Sequence, residues 1–334
     1  MGTEVAVEQI QKTDETVHYF KMPVYIEVHY SDGTMDAVKE TLENAFEVVK
    51  IDNPKKKKIA FVLFDPNSNI IKQLSFKKSF EELQEQILNA PHYIDRYDAI
   101  VALKEFEVDK KREVLIESLK REKHYGIINE IISQLAADQN ELSIENLQEL
   151  TKYPKAAVRD QVFKSVTLND SWKPFFEAAL TDSSYEVVKT VLEKLCDQYP
   201  LKVEDYLAIT KNVYGMNHSV KIKWLEISFL KYGNKFDGFE KLVFYASPNY
   251  EFRTRILAFG VLKTANYLDE NLCGSLFQAM LSSNGRLAGP AGELVNFFAL
   301  QASYKNKFKV FFQNQNFQTA EKESLIRQLP WLKN

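Results

Sequence analysis

The chain has 334 residues, of which 45% are hydrophobic and 27% are charged, and its formal net charge is −3. This length exceeds what one hydrophobic core usually sustains, so two domains are expected. The small negative charge argues against a protein-wide nucleic-acid surface, and no apolar run approaches the roughly 18 residues that a membrane-spanning helix requires.

The sequence does not decide the cellular compartment. Met1 to Gln11 has no basic start followed by an apolar stretch, so no signal peptide is predicted. The two cysteines, Cys196 and Cys273, lie far apart in predicted helices, where a small buried hydrophobic role is usual. Scarce cysteine fits a reducing cytosol and also many exported bacterial proteins.

Strand patterns come first along the chain. Alternation of apolar and polar residues predicts strands over Thr3 to Ile10 and His18 to Tyr30. Met35 to Ile51 also fits a helix, and we assign it to strands because both flanking segments are strands. Ile59 to Phe64, then turn residues, then an extended pattern over Ile70 to Phe76 predict a hairpin.

Helical spacing begins at Ser79 and continues to the end. Ser79 and Glu82 predict a capping box, the helix that follows ends at Pro91, and the next begins near Asp95. After that, a basic residue beside apolar helix positions recurs at steps of about thirty residues, which is typical of repeat proteins. The recurring positions are Arg96, Arg159, Lys189, Lys221 and Arg253.

These patterns predict two domains of different class. Residues 1–78 are expected to form a small antiparallel β-sandwich. Residues 79–334 are expected to form an all-α solenoid, because a helical hairpin of this size cannot bury its apolar face alone and stacks on the next one. The glycine-rich stretch Asn284 to Gly292 is interpreted as a turn between helices, and Phe308 to Leu329 as a terminal cap with an aromatic face.

Local motifs of common enzyme classes are absent from the sequence. It contains no H-E-x-x-H zinc motif, no G-x-S-x-G elbow and no glycine-rich phosphate loop. Lys55 to Lys58 are interpreted as solvating a loop or strand edge rather than as a nuclear-import or polyphosphate patch. The histidines are scattered and are interpreted as ordinary strand or helix-end residues: His18, His29, His92, His124 and His218.

Three groups of residues carry a resemblance to a known family. The chain opens with Val7-Glu-Gln-Ile-Gln11 and Phe20-Lys-Met-Pro-Val24, continues with F-D-P-N-x-x-I-I-x-x-L from Phe64, and then has D-R-Y-D-A-I-x-A-L from Asp95. In this order they resemble the C-terminal half of the M1 family of zinc aminopeptidases. In that family a β-sandwich follows the catalytic domain, and a HEAT- or armadillo-like helical domain follows the sandwich.

The resemblance implies a non-catalytic region that caps the active site of a zinc aminopeptidase and shapes peptide access. The expected partners are a catalytic domain of the same polypeptide and peptide substrates, with no nucleic acid. The family's H-E-x-x-H and G-x-M-E-N motifs have no counterpart here, so no catalytic or metal-binding residue is transferred to this chain. Zinc is expected only in the missing catalytic domain, and the chain is expected to be a truncated, inactive part of a larger peptidase.

The resemblance also implies basic residues that bind the C-terminal carboxylate of a peptide. Arg253 and Arg255, or Lys221 and Lys223, are the candidates on one unit of the solenoid, and a guanidinium group binds a carboxylate bidentately. The alternative is that these side chains pair with neighbouring carboxylates or lie on the outer surface.

Two other hypotheses remain open. The first is a stand-alone α-solenoid protein-interaction scaffold without peptidase activity, since solenoids present long concave surfaces to partners. The second is an enzyme whose site assembles from scattered residues. An exposed apolar patch on residues 1–78 would indicate that the β region docks against a catalytic domain, and its absence would indicate an independent scaffold.

Overall fold

The structure, a computed structural model, describes residues 2–333. Their contacts form two compact units, one reaching to Thr167 and the other beginning at Leu168. The first unit therefore holds the strands together with the first helices of the chain. The predicted division into domains 1–78 and 79–334 stays a prediction.

The described part of the β region has five strands in two antiparallel sheets. The strands are β1 (Gly2–Glu8), β2 (Met22–Tyr30), β3 (Met35–Leu42), β4 (Phe46–Asp52) and β5 (Ile59–Phe64). β1 pairs with β4, and β2 lies between β3 and β5 in the second sheet. The ambiguous segment Met35 to Ile51 thus forms strands, as predicted.

The two sheets pack on each other through alternating aliphatic side chains. Val24, Ile26 and Val28 of β2 are completely buried, and Val49 and Ile51 of β4 belong to the same cluster. Because side chains alternate between the faces of a strand, this period-2 pattern gives each sheet one inner face. The predicted small antiparallel β-sandwich is confirmed.

The hairpin predicted over Ile59 to Phe76 is wrong. β5 pairs with β2, and Ile70 to Phe76 form no strand. The buried carboxylate of Asp65 accepts hydrogen bonds from the backbone N–H of Asn69 and Ile70 and from the Lys72 ammonium. These local bonds satisfy donors that a second strand would have used, so the chain curls instead of returning along β5.

Helices of the first unit stack in two layers. They are α1 (Phe80–Asn89), α2 (Tyr93–Ala102), α3 (Val108–Arg121), α4 (Tyr125–Leu135), α5 (Glu141–Leu150) and α6 (Ala156–Ser165). α4 packs on α2 and α6 packs on α4, while α1, α3 and α5 form the other layer. The predicted capping box of α1 is confirmed, with Glu82 N–H donating to Ser79 Oγ at 3.2 Å and Ser79 N–H donating to Glu82 Oε2 at 2.8 Å.

The second unit continues the same kind of stacking. Its helices are α7 (Lys173–Ala179), α8 (Tyr185–Gln198), α9 (Val203–Thr210), α10 (Ser219–Tyr232), α11 (Phe239–Ala246), α12 (Phe252–Thr264), α13 (Glu270–Met280), α14 (Gly285–Ala299), α15 (Ala302–Asn314) and α16 (Thr319–Gln328). α8, α10, α12 and α14 pack in sequence, as do α11, α13 and α15. Each hairpin buries its apolar face on the next, so the predicted HEAT-like α-solenoid is confirmed.

One predicted turn in this unit is wrong. Gly285 to Gly292 form the first half of α14, which begins after Asn284 and runs through Pro290. The Asn284 side chain accepts the N–H of Arg286 at 3.1 Å and so caps the helix. Pro290 lies in the second turn, where its missing N–H removes a single hydrogen bond from a helix that packing already holds.

Two further observations concern cysteines and membranes. Cys196 and Cys273 are buried, unpaired thiols, and burial raises the pKa of each to about 12. Within residues 2–333, no helix combines the length and the apolar character needed to cross a membrane.

Candidate functional site

Arg255, one of the predicted carboxylate anchors, is an internal residue that is only 3% exposed. Its Nε donates to the Ala246 carbonyl at 2.9 Å, its Nη2 donates to the Ser275 carbonyl at 2.8 Å, and its Nη1 donates to Gln278 Oε1 at 2.8 Å. Burial lowers the pKa of this guanidinium. The side chain therefore ties α12 to the end of α11 and to α13, and points no donor to solvent that a peptide could reach.

Lys221 has a similar internal role in α10. It is 6% exposed, its ammonium donates to the Lys211 carbonyl at 2.9 Å, and it lies 3.9 Å from the centre of the Trp224 ring. Burial, and the nearby charges of Lys241 and Lys211, lower the pKa of Lys221. A carbonyl and a ring face thus stabilise this ammonium where a carboxylate was expected.

The remaining two anchors differ from these and from each other. The Lys223 ammonium contacts Glu226 at 2.6 Å and Glu193 at 3.0 Å. Burial opposes its charge, but these two carboxylates prevail and raise the pKa of Lys223. Arg253 is exposed and lies over the Phe252 ring. The four cations share no common partner. Binding of a peptide carboxylate stays a prediction, and of the four side chains only Arg253 leaves room for it.

The recurring basic residue in the sequence has a structural explanation. Arg96 Nη1 donates to the carbonyls of Ala90 and Pro91, both at 3.0 Å, and Lys111 donates to Leu103 at 3.1 Å. Arg159 repeats this arrangement in α6, as Lys221 and Arg255 do in α10 and α12. Each cation satisfies carbonyls at the end of the preceding helix or turn. Lys189, which pairs with Glu186, and Arg253, which is exposed, depart from this pattern; in α12 Arg255 takes the place predicted for Arg253.

A second set of cations lies on the surface of the first unit, where α2, α4 and α6 begin. We call this surface the basic–aromatic row and define it by His92, Tyr93, Lys123, His124, Tyr125, Lys152 and Lys155. Its lysines and His92 are exposed, and Tyr93 and Tyr125 are 48% and 41% exposed.

Ring contacts bring the starts of the three helices side by side. The Tyr93 ring stacks on His124 with centroids 4.3 Å apart, and His124 lies 5.3 Å from the Tyr125 ring. The Lys155 ammonium lies 3.7 Å from the centre of the Tyr125 ring. The first residues of α2 and α4 thus contact the residues that precede α4 and α6, which makes the row continuous.

The helices of this row begin without a side-chain cap. The residues that precede α2, α4 and α6 are His92, His124 and Lys155, and none of them accepts a backbone N–H. A helix start carries a partial positive charge and unsatisfied N–H groups, so a cation there is unfavourable by about 0.3–1 kcal/mol. Lys155 stands at such a position, and together with Lys123 and Lys152 beside three uncapped starts it creates a local surplus of positive charge and of hydrogen-bond donors.

The carboxylate near the row is already occupied. Glu122 accepts Arg96 Nε at 2.9 Å and the backbone N–H groups of Lys123 and His124 at 3.0 and 3.2 Å. Burial opposes its charge, but these donors lower the pKa of Glu122. Among the described residues, Lys123, Lys152 and Lys155 form no ion pair, and the buried Nδ1 of His124 has no hydrogen-bond partner.

Sequence reasoning missed this row although a signal was present. His92-Tyr93 and His124-Tyr125 are the same dipeptide at successive starts of the repeat, and both histidines were interpreted as ordinary helix-end residues. Their significance depends on the stacking of neighbouring repeats, which places one dipeptide against the next. Within residues 2–333, no group of three or more His, Cys, Asp or Glu side chains could hold a metal ion.

Comparisons with known proteins give no family for this chain. No family model and no curated protein matches the chain. Among solved structures, the chain is similar to the complex of CpcE and CpcF of phycocyanin lyase from Nostoc sp., with 14% identity and a TM-score of 0.39 over 79% of this chain and 97% of that one. It is also similar to human deoxyhypusine hydroxylase in complex with glycerol, with 11% identity and a TM-score of 0.31 over 75% of this chain and 94% of that one.

The resemblance to M1 zinc aminopeptidases is therefore wrong. No family model matches the chain, and the solved structures named above are a lyase complex and a hydroxylase, not an aminopeptidase. The motifs that suggested it have structural roles here: Asp65 closes the bend after β5, and Arg96 binds the carbonyls of the α1–α2 turn. At these identities the similarity concerns the fold alone and gives no activity.

Proposed function

We propose that this chain is an α-solenoid protein-interaction scaffold whose basic–aromatic row binds an extended acidic segment of a partner protein. The observation that carries the proposal is the row itself, in which three adjacent helices begin without a side-chain cap and three exposed lysines lie beside their starts. This arrangement is unfavourable for the chain alone, and an anionic partner would relieve it.

The chemistry of the row suits carboxylates alternating with apolar side chains. Backbone N–H groups at the start of α2 and α4, such as those of Tyr93 and Tyr125, have no acceptor among the described residues and can donate to a carboxylate. Lys123, Lys152 and Lys155 add positive charge around them. The faces of Tyr93 and Tyr125 offer apolar contact area between the charged positions.

A protein partner fits the chain better than a nucleic acid. The formal charge of the whole chain is −3, whereas proteins that bind nucleic acids through their phosphates commonly present an extended basic face. The row is confined to the starts of three helices and is better matched to a short peptide. Binding of an oligonucleotide is an outcome that the experiment below must distinguish.

The surface of the β region is partly apolar. Large hydrophobic side chains are exposed there, and they include Ile10, Phe20, Phe46, Val48, Ile71 and Leu74. A contiguous exposed apolar patch is typical of a surface that another protein covers, whereas single exposed apolar residues are ordinary. The apolar patch expected on residues 1–78 of a docked domain stays a prediction.

Fluorescence anisotropy with a labelled peptide of alternating glutamate and tyrosine tests the proposal. We expect saturable binding. The affinity should fall at least tenfold in the triple variant Lys123→Gln, Lys152→Gln and Lys155→Gln, because three contacts between an ammonium and a carboxylate are removed. The matched control replaces Lys55, Lys56 and Lys58, three exposed lysines of the β4–β5 turn, by Gln. It changes the net charge equally and should leave the affinity unchanged.

Three results would contradict the proposal. The first is the absence of peptide binding at low ionic strength. The second is equal weakening by the two triple variants, which would show a general charge effect. The third is tighter binding of a single-stranded oligonucleotide than of the peptide, which would assign the row to nucleic acid.

A further inference from the structure

The two-stranded sheet of β1 and β4 has an open edge. β1 pairs with β4 along its full length on one side, and no described strand pairs with its other side. An isolated two-stranded sheet is marginally stable, and a free edge presents a row of unpaired N–H and C=O groups to any strand that can reach it.

β1 lacks the features that usually protect such an edge. Its sequence, GTEVAVE, contains no proline and no lysine, and its ladder with β4 has no bulge. The other free edges differ, because β3 carries Asp36, Lys39 and Glu40, β4 carries Lys50, and β5 lies against α1. β1 is therefore the strand whose free edge is most open to pairing with an added strand.

We propose that two copies of this chain pair through β1, antiparallel about a two-fold axis at Val5. The product is a continuous four-stranded sheet in which β1 strands are central and β4 strands are outer. This inference rests on the β region alone and does not depend on the function proposed for the basic–aromatic row.

The sequence of β1 is complementary to itself in this register. Val5 is the middle of seven residues, so every residue of β1 gains a partner: Val5 faces Val5, Glu4 faces Ala6, Thr3 faces Val7 and Gly2 faces Glu8 of the second copy. No two like charges face each other. Val5 and Val7 are partly exposed on the inner face; across the new ladder Val5 would gain an apolar neighbour and Val7 would gain Thr3.

Position 6 provides a charge test of this register. Ala6 is exposed and faces Val48 of β4 within one chain, so a charged residue there is tolerated by the monomer. In the proposed dimer it faces Glu4 of the second copy, and symmetry repeats the contact. Ala6→Glu places like charges opposite each other twice, whereas Ala6→Lys places opposite charges there, and the two substitutions change strand propensity similarly.

Sedimentation equilibrium of the full chain from micromolar to millimolar concentration measures the effect. We expect a reversible monomer–dimer equilibrium, a dissociation constant several-fold to about tenfold higher for Ala6→Glu, and a lower dissociation constant for Ala6→Lys. The proposal would be overturned if the chain is monomeric at every concentration. It would also be overturned if the two substitutions shift the dissociation constant in the same direction or do not shift it. If Ala6→Glu does not fold, the sign of the Ala6→Lys shift decides.

Discussion

Helix starts differ along the chain in how they are capped: α12 and α14 have a side-chain cap, whereas α4 and α6, like α9 and α10 of the second unit, have none. In the second unit, Glu251 precedes α12 and accepts the N–H groups of Arg253 and Thr254, each at 2.6 Å. Asn284 caps α14 in the same unit. In the first unit, His124 and Lys155 stand at the equivalent positions before α4 and α6 and accept no backbone hydrogen.

The difference shows that an uncapped start is not a requirement of this repeat. At α12 and α14 the chain places a carboxylate or an amide before the helix, which stabilises a helix by about 1 kcal/mol. His92, His124 and Lys155, which precede three adjacent helices, give up this stabilisation. The first unit therefore sacrifices stability at the surface that we assign to a partner.

A parallel contrast separates buried cations from exposed ones. Arg255 and Lys221 satisfy carbonyls inside the solenoid, whereas Lys152 and Lys155 form no ion pair with any residue between 2 and 333. The buried set should determine stability and the exposed set should determine binding. Substitutions in each set test this division.

Arg255→Met should lower the free energy of unfolding by about 3 kcal/mol, because it leaves the Ala246 and Ser275 carbonyls without their charged donor. Urea denaturation followed by circular dichroism measures this change. Arg253→Met is the matched control on the same helix and should shift stability by less than about 0.5 kcal/mol. Equal effects of the two substitutions would refute the structural role of Arg255.

Glu251→Ala should destabilise the chain by about 1–2 kcal/mol, because α12 loses its cap. The same urea experiment provides the measurement. Glu270→Ala, which removes an exposed carboxylate from the first turn of α13 while Asp269 still caps that helix, should cost less. A smaller loss of unfolding free energy in Glu251→Ala than in Glu270→Ala would contradict the capping role of Glu251.

The contribution of Glu251 should depend on pH. Burial alone would raise its pKa, but hydrogen bonds from the Thr254 hydroxyl and from two backbone N–H groups lower the pKa below its ordinary value of 4.5. A carboxyl with a lowered folded-state pKa contributes stability above its unfolded pKa, and this contribution is lost as pH falls through the folded pKa. The stability difference between wild type and Glu251→Gln should therefore be largest near neutral pH and narrow below pH 4.5. A constant difference would contradict this.

Lys155→Asp should stabilise the first unit by about 0.5 kcal/mol and weaken peptide binding. The substitution supplies a cap for α6 and complements its dipole, and the loss of the Lys155 contact with Tyr125 offsets part of the gain. Thermal unfolding and anisotropy on the same samples test both effects. Lys152→Asp, which lies outside the cap position, should weaken binding without this gain in stability.

Predictions that depend on neighbouring residues succeeded more often than predictions that depend on contacts between distant parts of the chain. The capping box at Ser79 and Glu82 and the alternation in Met22 to Tyr30 depend on neighbouring residues, and both appear in the structure. The failed hairpin after Phe64 depended on which strand β5 would choose, and the turn around Pro290 depended on packing that holds α14 together. Tertiary context overrode local propensity in both places.

The candidate site was less predictable for a related reason. The repeat of basic residues was visible in the sequence, but burial decides whether such a residue binds a carbonyl, as Arg255 does, or faces solvent, as Arg253 does. The two residues differ by two positions on one helix, which turns them toward different surroundings. Likewise, His124 gains its significance only from its stack on Tyr93 of the neighbouring repeat.

Hydrogen exchange of the full chain with and without a saturating acidic peptide locates the surface to which the peptide binds. We expect slower exchange at the starts of α2, α4 and α6, because their N–H groups gain acceptors, and no change at the start of α12, where Glu251 already supplies one. Protection that is absent from the three uncapped starts, or equal at α12, would contradict the assignment of the basic–aromatic row to a partner.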